Sequence, residues 1–486
     1  MSRNNNFLGT IEKIIIKNYL SLLRMQMEYS IPLDVWNLIF HSLNIFDQLS
    51  IRGTCRYFFR NLKIIDLYYV PPFLSRNFNQ KILDKFPDTE KLRCLSPLSL
   101  IKFTKLKKLR IDFMNEDHLI LRTLTCLGSL QVSNMCYITN LQEYSRLHTL
   151  KYQYIGTTDL SPLIHLTNLQ VGNEDLKDIN YLTNLKKLKL VLNSGLTNEG
   201  IRNLTNITSL RIEDNVRIWD INHMTKLKKL LEIYKGCLKD ASIRHLTNLV
   251  ELRIQNHNKK VKTISHLTRL QILHIAPTID INQLLYLKNL TELSFGYSEL
   301  SYKVNLNALT NLRKLSTNYL SIFDNESISR LTNLLFLSIE WGHSPIDNFN
   351  TLCLLTKLEL SYDSKIHNRS ITNLTNLLQL SLCYGHSNLH DINKLTNITS
   401  LSLTNNRGLT NDGIKNLTNL LYLDIEDCGQ ITNLRYFTKL NELIGNIYND
   451  DASHLVNLTF LQNNSYYKPE TIASLKRLKF HLPRHK

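Results

Sequence analysis

The sequence predicts an α/β repeat solenoid preceded by a small helical segment, and three observations carry that expectation. One word, L-T-N-L-x-x-L-x-L, returns along most of the 486 residues. Its last leucines alternate, as they do in a strand with one covered face, and do not continue at helical spacing. A different pattern, apolar residues three and four apart, fills residues 31–62 and is not repeated.

The word reads LTNLKKLKL at 182–190, LTNITSLRI at 204–212, LTNLVELRI at 246–254, LTNLLFLSI at 331–339, LTNLLQLSL at 374–382 and LTNLLYLDI at 417–425. Anchored on its first residue, it gives nineteen positions from Phe103 through Leu124, Tyr144, Leu166, Leu182 and Leu204 to Leu455 and Leu475, about 21 residues apart on average. The alternating leucines form the inner face of a strand. Ile179, Ile201, Ile221 and Ile243 turn the chain back over the same core. One such coil cannot bury its own apolar face, so stacked neighbours must share a core. The expectation is an arc of about 19 coils over residues 101–486, with a parallel sheet on its concave face.

Details of the array follow from the same alignment. Asn193, Asn215, Asn406 and Cys428 stand where a turn leaves backbone groups open, so a buried side chain there would bond them. Gly342, Asp363 and Gly385 depart from that pattern. The interval from Leu166 to Leu182 is only 16 residues, which predicts the loss of most of one strand and a local kink. The run GLTNEGIRNLTNITSLRIED at 195–214 returns as GLTNDGIKNLTNLLYLDIED at 408–427, which implies duplication of a multi-coil block.

Residues 31–62 read IPLDVWNLIFHSLNIFDQLSIRGTCRYFFRNL. Pro32 suits a first helical turn, where its missing N–H costs nothing. Val35, Leu38, Ile39 and Leu43 follow at helical spacing. Asp47 can cap a second helix bearing Leu49 and Ile51, and Gly53 loosens the join to a third with Cys55, Phe58, Phe59 and Leu62. Three helices this short need a partner to cover their apolar surface.

The repeats resemble leucine-rich repeats, and the order Ile31-Pro32-x-Asp34, Ile39-Phe40-x-x-Leu43, Asp47-x-Leu49, Thr54-Cys55-Arg56-x-Phe58 resembles the F-box. Together they are similar to F-box/leucine-rich-repeat proteins, and the Asn- and Lys-rich wording is similar to those of amoebae and of the giant viruses that infect them. Ile31, Asp34 and Phe58 replace commoner residues of the same chemical type. The resemblance divides the chain into an N-terminal helical segment (1–28), the F-box (29–70), a connector and cap (71–100) and the repeats (101–486). It implies that Ile31, Pro32, Leu33, Val35, Ile39, Leu43, Leu49, Cys55 and Phe58 meet a Skp-family adaptor. That adaptor would join the chain to a cullin–RING ubiquitin ligase, while the repeats hold an unknown protein substrate. The chain itself would do no chemistry.

Composition narrows the alternatives. The net charge of +17 admits a nucleic acid, an anionic surface or an acidic protein as partner, but the lysines are scattered and the longest clusters are Lys-Lys pairs. Nucleic acid is disfavoured on that count, and a basic solenoid holding a polyanion, or a scaffold without ubiquitination, stands as the alternative. No stretch approaches the ~20 apolar residues of a membrane span. Glu12, Lys13 and Lys17 interrupt any signal peptide. The eight cysteines lie apart without a CxxC pair, as in a reducing compartment, so an intracellular protein is expected. Asn-Leu-Thr triplets such as 203–205, 373–375 and 416–418 arise from the repeat wording. No GxG, HExxH or GxSxG occurs, so neither enzyme nor cofactor is expected. Cys383-x2-His386-x3-His390 has ligand-like spacing but no fourth ligand, and no metal is expected.

Residues alternating with the inward leucines should face a partner. Early coils place Lys108, Arg110, Lys151, Lys187, Lys189, Arg211, Lys229 and Arg253 there, against Asp112, Glu213 and Glu251. Later coils place Glu292, Glu340, Glu359, Asp424, Glu426 and Glu442 there, against Lys314 and Lys357. The concave face should therefore run from basic to acidic, with Phe336 and Tyr422 as aromatic anchors among the late acids.

Overall fold

The computed structural model describes Gln48 and residues 66–67, 86–94, 103–112, 124–132, 144–152, 159–172, 175–191, 194–233, 237–254, 260–275, 279–296, 305–317, 323–340, 346–361, 366–384, 388–445, 454–463 and 475–483. The F-box-like residues Ile31, Pro32, Leu33, Val35, Ile39, Leu43, Leu49, Cys55 and Phe58 lie outside the described residues. The chain divides into two compact units, residues 1–204 and 205–486.

In the first unit the strands Asp66–Leu67, Lys91–Cys94, Lys108–Ile111, Ser129–Val132, Thr149–Lys151, Asn168–Val171 and Lys187–Leu190 each pair in parallel with the next. Their registers put Leu67, Leu92, Leu109, Leu130, Leu150, Leu169 and Leu188 in one row, all buried. The ladder thus begins upstream of residue 101. The word is disguised there: Phe86, Thr89, Leu92 and Cys94 stand where the next coil has Phe103, Leu106, Leu109 and Ile111. The amide of Thr89 bonds the Phe86 carbonyl just as that of Leu106 bonds Phe103.

In the second unit, strands from Ser209–Glu213 to Phe480–Pro483 pair in parallel, each with its successor. A leucine occupies the first inward position from Leu210 to Leu461 without a break. The second inward position is looser. It holds Ile212, Glu232, Ile254, Ile275, Phe295, Thr317 and Ile339 in successive strands. The one carboxylate in this row, Glu232, is 2% exposed and accepts the Leu238 amide at 3.0 Å.

One expectation is corrected. No strand is lost between Leu166 and Leu182, because Leu166 is not the anchor. Leu163 is: its amide bonds the Leu160 carbonyl, as Leu182 bonds Ile179, and Leu166 then matches Leu185. The strand Asn168–Val171 is intact and pairs residue for residue with Lys187–Leu190. Coil lengths there are short but regular. The matching runs at 195–214 and 408–427 each contain a short helical turn, at Glu199–Ile201 and Asn411–Ile414. Among the described residues of the second unit, short helical turns at Asp240–Ile243, Ile281–Tyr286, Asn325–Ile328, Asn368–Ile371 and Asn411–Ile414 occur in every second coil, the last three beginning 43 residues apart. The module is a pair of coils, one closing through a helical turn and one without.

Asparagine side chains weld coil to coil at two places. The Asn of the L-T-N-L word donates through Nδ2 to a backbone carbonyl of the preceding coil: Asn184 to Ile164, Asn248 to Thr225, Asn289 to Thr268, Asn333 to Thr310 and Asn419 to Thr396, all at 2.9–3.0 Å. A second asparagine, in the coil without the helix, reaches forward. Asn393 donates to the Asp412 carbonyl at 2.6 Å and accepts the Asn416 amide at 2.8 Å. Asn180, Asn222, Asn307 and Asn350 make the same pair of bonds. Where Ser265 interrupts this row, Gln283 of the next coil reaches back, accepting the amides of Ile264 and Ser265 and donating to Lys262. In the turns, Asn215 bonds the Arg217 amide and Asn406 those of Gly408 and Leu409, as the repeat alignment expects. Asn193, Gly342, Asp363 and Gly385 lie outside the described residues.

Helical turns need close approach. Ser242, Ser327 and Ser370 accept the amides of Lys239, Asp324 and His367 at the start of each turn. Glycine takes this place at 200 and 413, where an added Cβ would lie 2.0 Å from the carbonyl oxygens of Lys177 and His390.

Removing one weld tests their weight. Asn393→Ala leaves a carbonyl and an amide of the next coil without their side-chain partner, and should lower unfolding free energy by about 1–2 kcal/mol. Urea denaturation of wild type and variant measures it; an unchanged midpoint would show the bonds to be replaceable by water.

Candidate functional site: the outward strand face

Strand side chains alternate, so every inward leucine is flanked by two residues turned away from the core. Register fixes these into two rows across each sheet, with strands about 4.8 Å apart. The rows are the candidate site, and each unit has its own.

On the first unit one row holds Asp66, Lys91, Lys108, Ser129, Thr149, Asn168 and Lys187, and the other Arg93, Arg110, Gln131, Lys151, Gln170 and Lys189. Lys187 and Lys189 therefore share one strand on the predicted face. Lys91 and Arg93 escaped sequence reasoning because their coil hides the repeat word. The 17-residue step from Phe86 and Leu92 to Phe103 and Leu109 is the signal that finds them. Asp112 takes the Nε of both Arg93 and Arg110, at 2.6 and 2.7 Å, and so holds two guanidinium groups side by side. Lys91 pairs with Asp66 at 3.0 Å.

The second unit is organised differently. Its predicted cations are internally paired: Arg211 with Glu213 at 2.5 Å and Arg253 with Glu251 at 2.6 Å. From there a polar chain crosses five strands. Lys229 and Arg253 hold Glu251, Arg253 Nη1 donates to His274 Nδ1 at 3.0 Å, and His274 Nε2 donates to Glu292 at 2.5 Å. Lys314 lies 3.4 Å from the same Glu292 oxygen. Burial lowers the His274 pKa, Arg253 and Lys314 push the same way, and together they outweigh Glu292. The imidazole is thus neutral and serves as a relay of hydrogen bonds. Burial pushes the Glu251 and Glu292 carboxyls up, but the bonds from Lys229 and Arg253 to one and from His274 to the other, with the cations around them, leave both lowered.

Phe336 is on the outward face but not among acids. Lys314 and Lys357, its neighbours in the row, lie 5.3 and 5.2 Å from its ring centre. The expected setting is corrected: lysines at the neighbouring row positions put cation–π contacts before any acid. Glu340 stands just past the strand end, exposed. Tyr422, Asp424 and Glu426 do come together. Asp424 accepts from Ser402 Oγ at 3.1 Å, Thr404 Oγ1 at 3.0 Å and the Glu426 amide at 3.0 Å. Burial nonetheless raises its pKa. Burial pushes the Tyr422 hydroxyl up to about 12, with Asp424 and Glu442 adding to it.

Cys126, Cys237, Cys353, Cys383 and Cys428 are free thiols. Burial pushes Cys237 and Cys428 up to about 11, so neither is a ready nucleophile. His390 Nδ1 lies 3.1 Å from the Gly408 carbonyl, while Cys383 contacts Ser381 and Ser402. His386 is outside the described residues, and among those described no cluster of His, Cys, Asp or Glu could hold a metal. No helix among them is long and apolar enough to cross a membrane.

A leucine row at each parallel strand, a return segment that is a short helical or open turn, and asparagine welds between coils define a leucine-rich-repeat solenoid. Solved structures similar to this chain include the following. An internalin from Listeria monocytogenes is 23% identical over 71% of this chain and 88% of its own, with a TM-score of 0.36. A TLR13–ssRNA13 complex gives 18% identity over 87% and 83%, with a TM-score of 0.47. The Toll–Spätzle complex of Drosophila gives 18% over 72% and 57%, with a TM-score of 0.48. No family model matches the chain, and no curated protein does.

The buried carboxylate pairs predict a pH response. Because the folded pKa of Glu251 is lowered, its contribution is present at neutral pH and lost as pH falls below the ordinary value of 4.5 through the folded one. Glu251→Gln should cost about 1 kcal/mol at pH 7, and the gap to wild type should close in acid. Thermal melts of both proteins from pH 7 to 3 measure this; a gap independent of pH would assign the loss to packing.

Proposed function

We propose that the chain is a non-catalytic adaptor: its outward strand faces hold a protein partner, and residues 29–70 dock to a Skp-family adaptor that leads to a cullin–RING ubiquitin ligase. The observation that carries the binding half is the pair of registered outward rows. They present polar, charged and aromatic side chains on a backbone that neighbouring coils hold fixed, which is what a preorganised interface requires. The docking half rests on the F-box resemblance of Ile31, Pro32, Leu33, Val35, Ile39, Leu43, Leu49, Cys55 and Phe58. In this reading the adaptor raises the local concentration of substrate lysines near the ubiquitin carrier. The seven cations on the first unit's rows favour a second reading, a polyanion-binding solenoid.

Affinity capture of the full chain from its own cell tests both. Wild type should bring down a Skp-family adaptor and a cullin. Leu43→Asp with Leu49→Asp should lose both while retaining the other partners and the thermal transition. Adaptor retained by the double variant would end the F-box assignment. Adaptor without cullin would leave a scaffold that does not ubiquitinate, and nucleic acid in place of both would favour the polyanion.

A further inference from the structure

The outward rows of the first unit have an unusual composition. Across the six strands from Lys91–Cys94 to Lys187–Leu190 they hold twelve residues, seven cations and five neutral hydrogen-bonding residues, with no aliphatic or aromatic side chain; the strand before them adds one carboxylate, Asp66, beside Lys91. The cations are not spread evenly. Lys91, Arg93, Lys108 and Arg110 fill two adjacent strands at one side, and Lys187 and Lys189 fill the strand at the other. Between them lie Ser129, Gln131, Thr149, Asn168 and Gln170, with Lys151 as the single charge.

We infer that this face binds an extended protein segment carrying two acidic clusters separated by about six residues of neutral character. The spacing follows from geometry. Four strand intervals separate Lys108 from Lys187, about 19 Å, and an extended chain covers that in about six residues at ~3.3 Å each. Asp112 orients the paired guanidinium groups of Arg93 and Arg110, which suits them to carboxylates. The amides and hydroxyls between the two cationic ends can bond main-chain groups of a segment crossing them. A nucleic acid fits less well. Its backbone charge is continuous, whereas these cations leave a nearly neutral centre. No aromatic ring stands in the rows to stack on bases, an interaction worth about 1–3 kcal/mol per base in single-strand binders.

This inference rests on the protein-binding reading and names its substrate class. The test uses the full chain and fluorescent synthetic peptides with two Asp-Glu-Asp clusters joined by two, six or ten Ser/Gly residues. Anisotropy at low salt should show the six-residue linker binding at least tenfold more tightly than the two-residue one. Lys187→Glu with Lys189→Glu should weaken it at least tenfold and flatten its salt dependence, with an unchanged melting temperature. If that variant melts early, Lys187→Gln with Lys189→Gln is read instead, with the same direction expected. Equal binding at all three linker lengths overturns the inference, as does a single- or double-stranded oligonucleotide of equal charge that binds more tightly and shows the same loss. Partner capture that survives Lys187→Glu with Lys189→Glu, without peptide binding, overturns the inference alone and leaves the adaptor reading standing.

Discussion

The side-chain amide of Asn333 crosses the gap between two coils to reach the carbonyl of Thr310, and eight other asparagines at the same place in their coils do likewise. This reach is possible at only one separation between coils. The strand ladder demands about 4.8 Å on the sheet side, and the asparagines demand a matching contact where the chain turns in. Between the two lies a leucine row that neither coil could cover alone. The join therefore sets the shape of each coil, and the interior follows from it. A residue that fits within its own coil but alters the join, as a Cβ at Gly200 or Gly413 would, strains two coils at once.

Regular joins have a consequence for the outward face. Each coil contributes its two outward residues at fixed intervals, so neighbours in a row are partners by geometry although 20 residues apart in sequence. Most charge on the second unit is spent along the row itself. Glu251, Arg253, His274 and Glu292 hold one another across adjacent strands, and Phe336 is gripped by the lysines on either side of it. On the first unit, by contrast, the described rows carry one acid, Asp66, paired with Lys91 beside it, and Asp112 stands just past the end of the strand Lys108–Ile111 between Arg93 and Arg110.

The repeat word made the strands and their inward leucines legible in the sequence, because an alternating apolar pattern has one structural meaning when it returns every 21 residues or so. Identity of outward residues was equally legible: Lys187, Lys189, Arg211, Arg253, Phe336, Tyr422 and Asp424 all sit in outward strand positions. Their partners were not. Whether Arg253 is offered to solvent or tied to Glu251 depends on side-chain reach between coils, which no single coil displays. The coil at Lys91–Cys94 was hidden by Thr89 and Cys94, which fill leucine positions without resembling them. Leu163 and Leu166 are both leucines three apart, so the pattern alone allowed either to be the anchor, and only the backbone bonds decide.

The alternation of helical and open coils in the second unit reaches beyond stability. A coil closing through a helical turn offers its neighbour a carbonyl and an amide, and the open coil supplies the asparagine that takes both, as Asn350 does for the turn at Asn368–Ile371. Two coils of the same kind side by side would leave donors facing donors or a side chain facing nothing. Recombination that adds or removes one coil is thus penalised, while an exchange of two coils restores every contact. The spacing of outward residues can thus be lengthened by a whole module of about 43 residues without rewriting the interior.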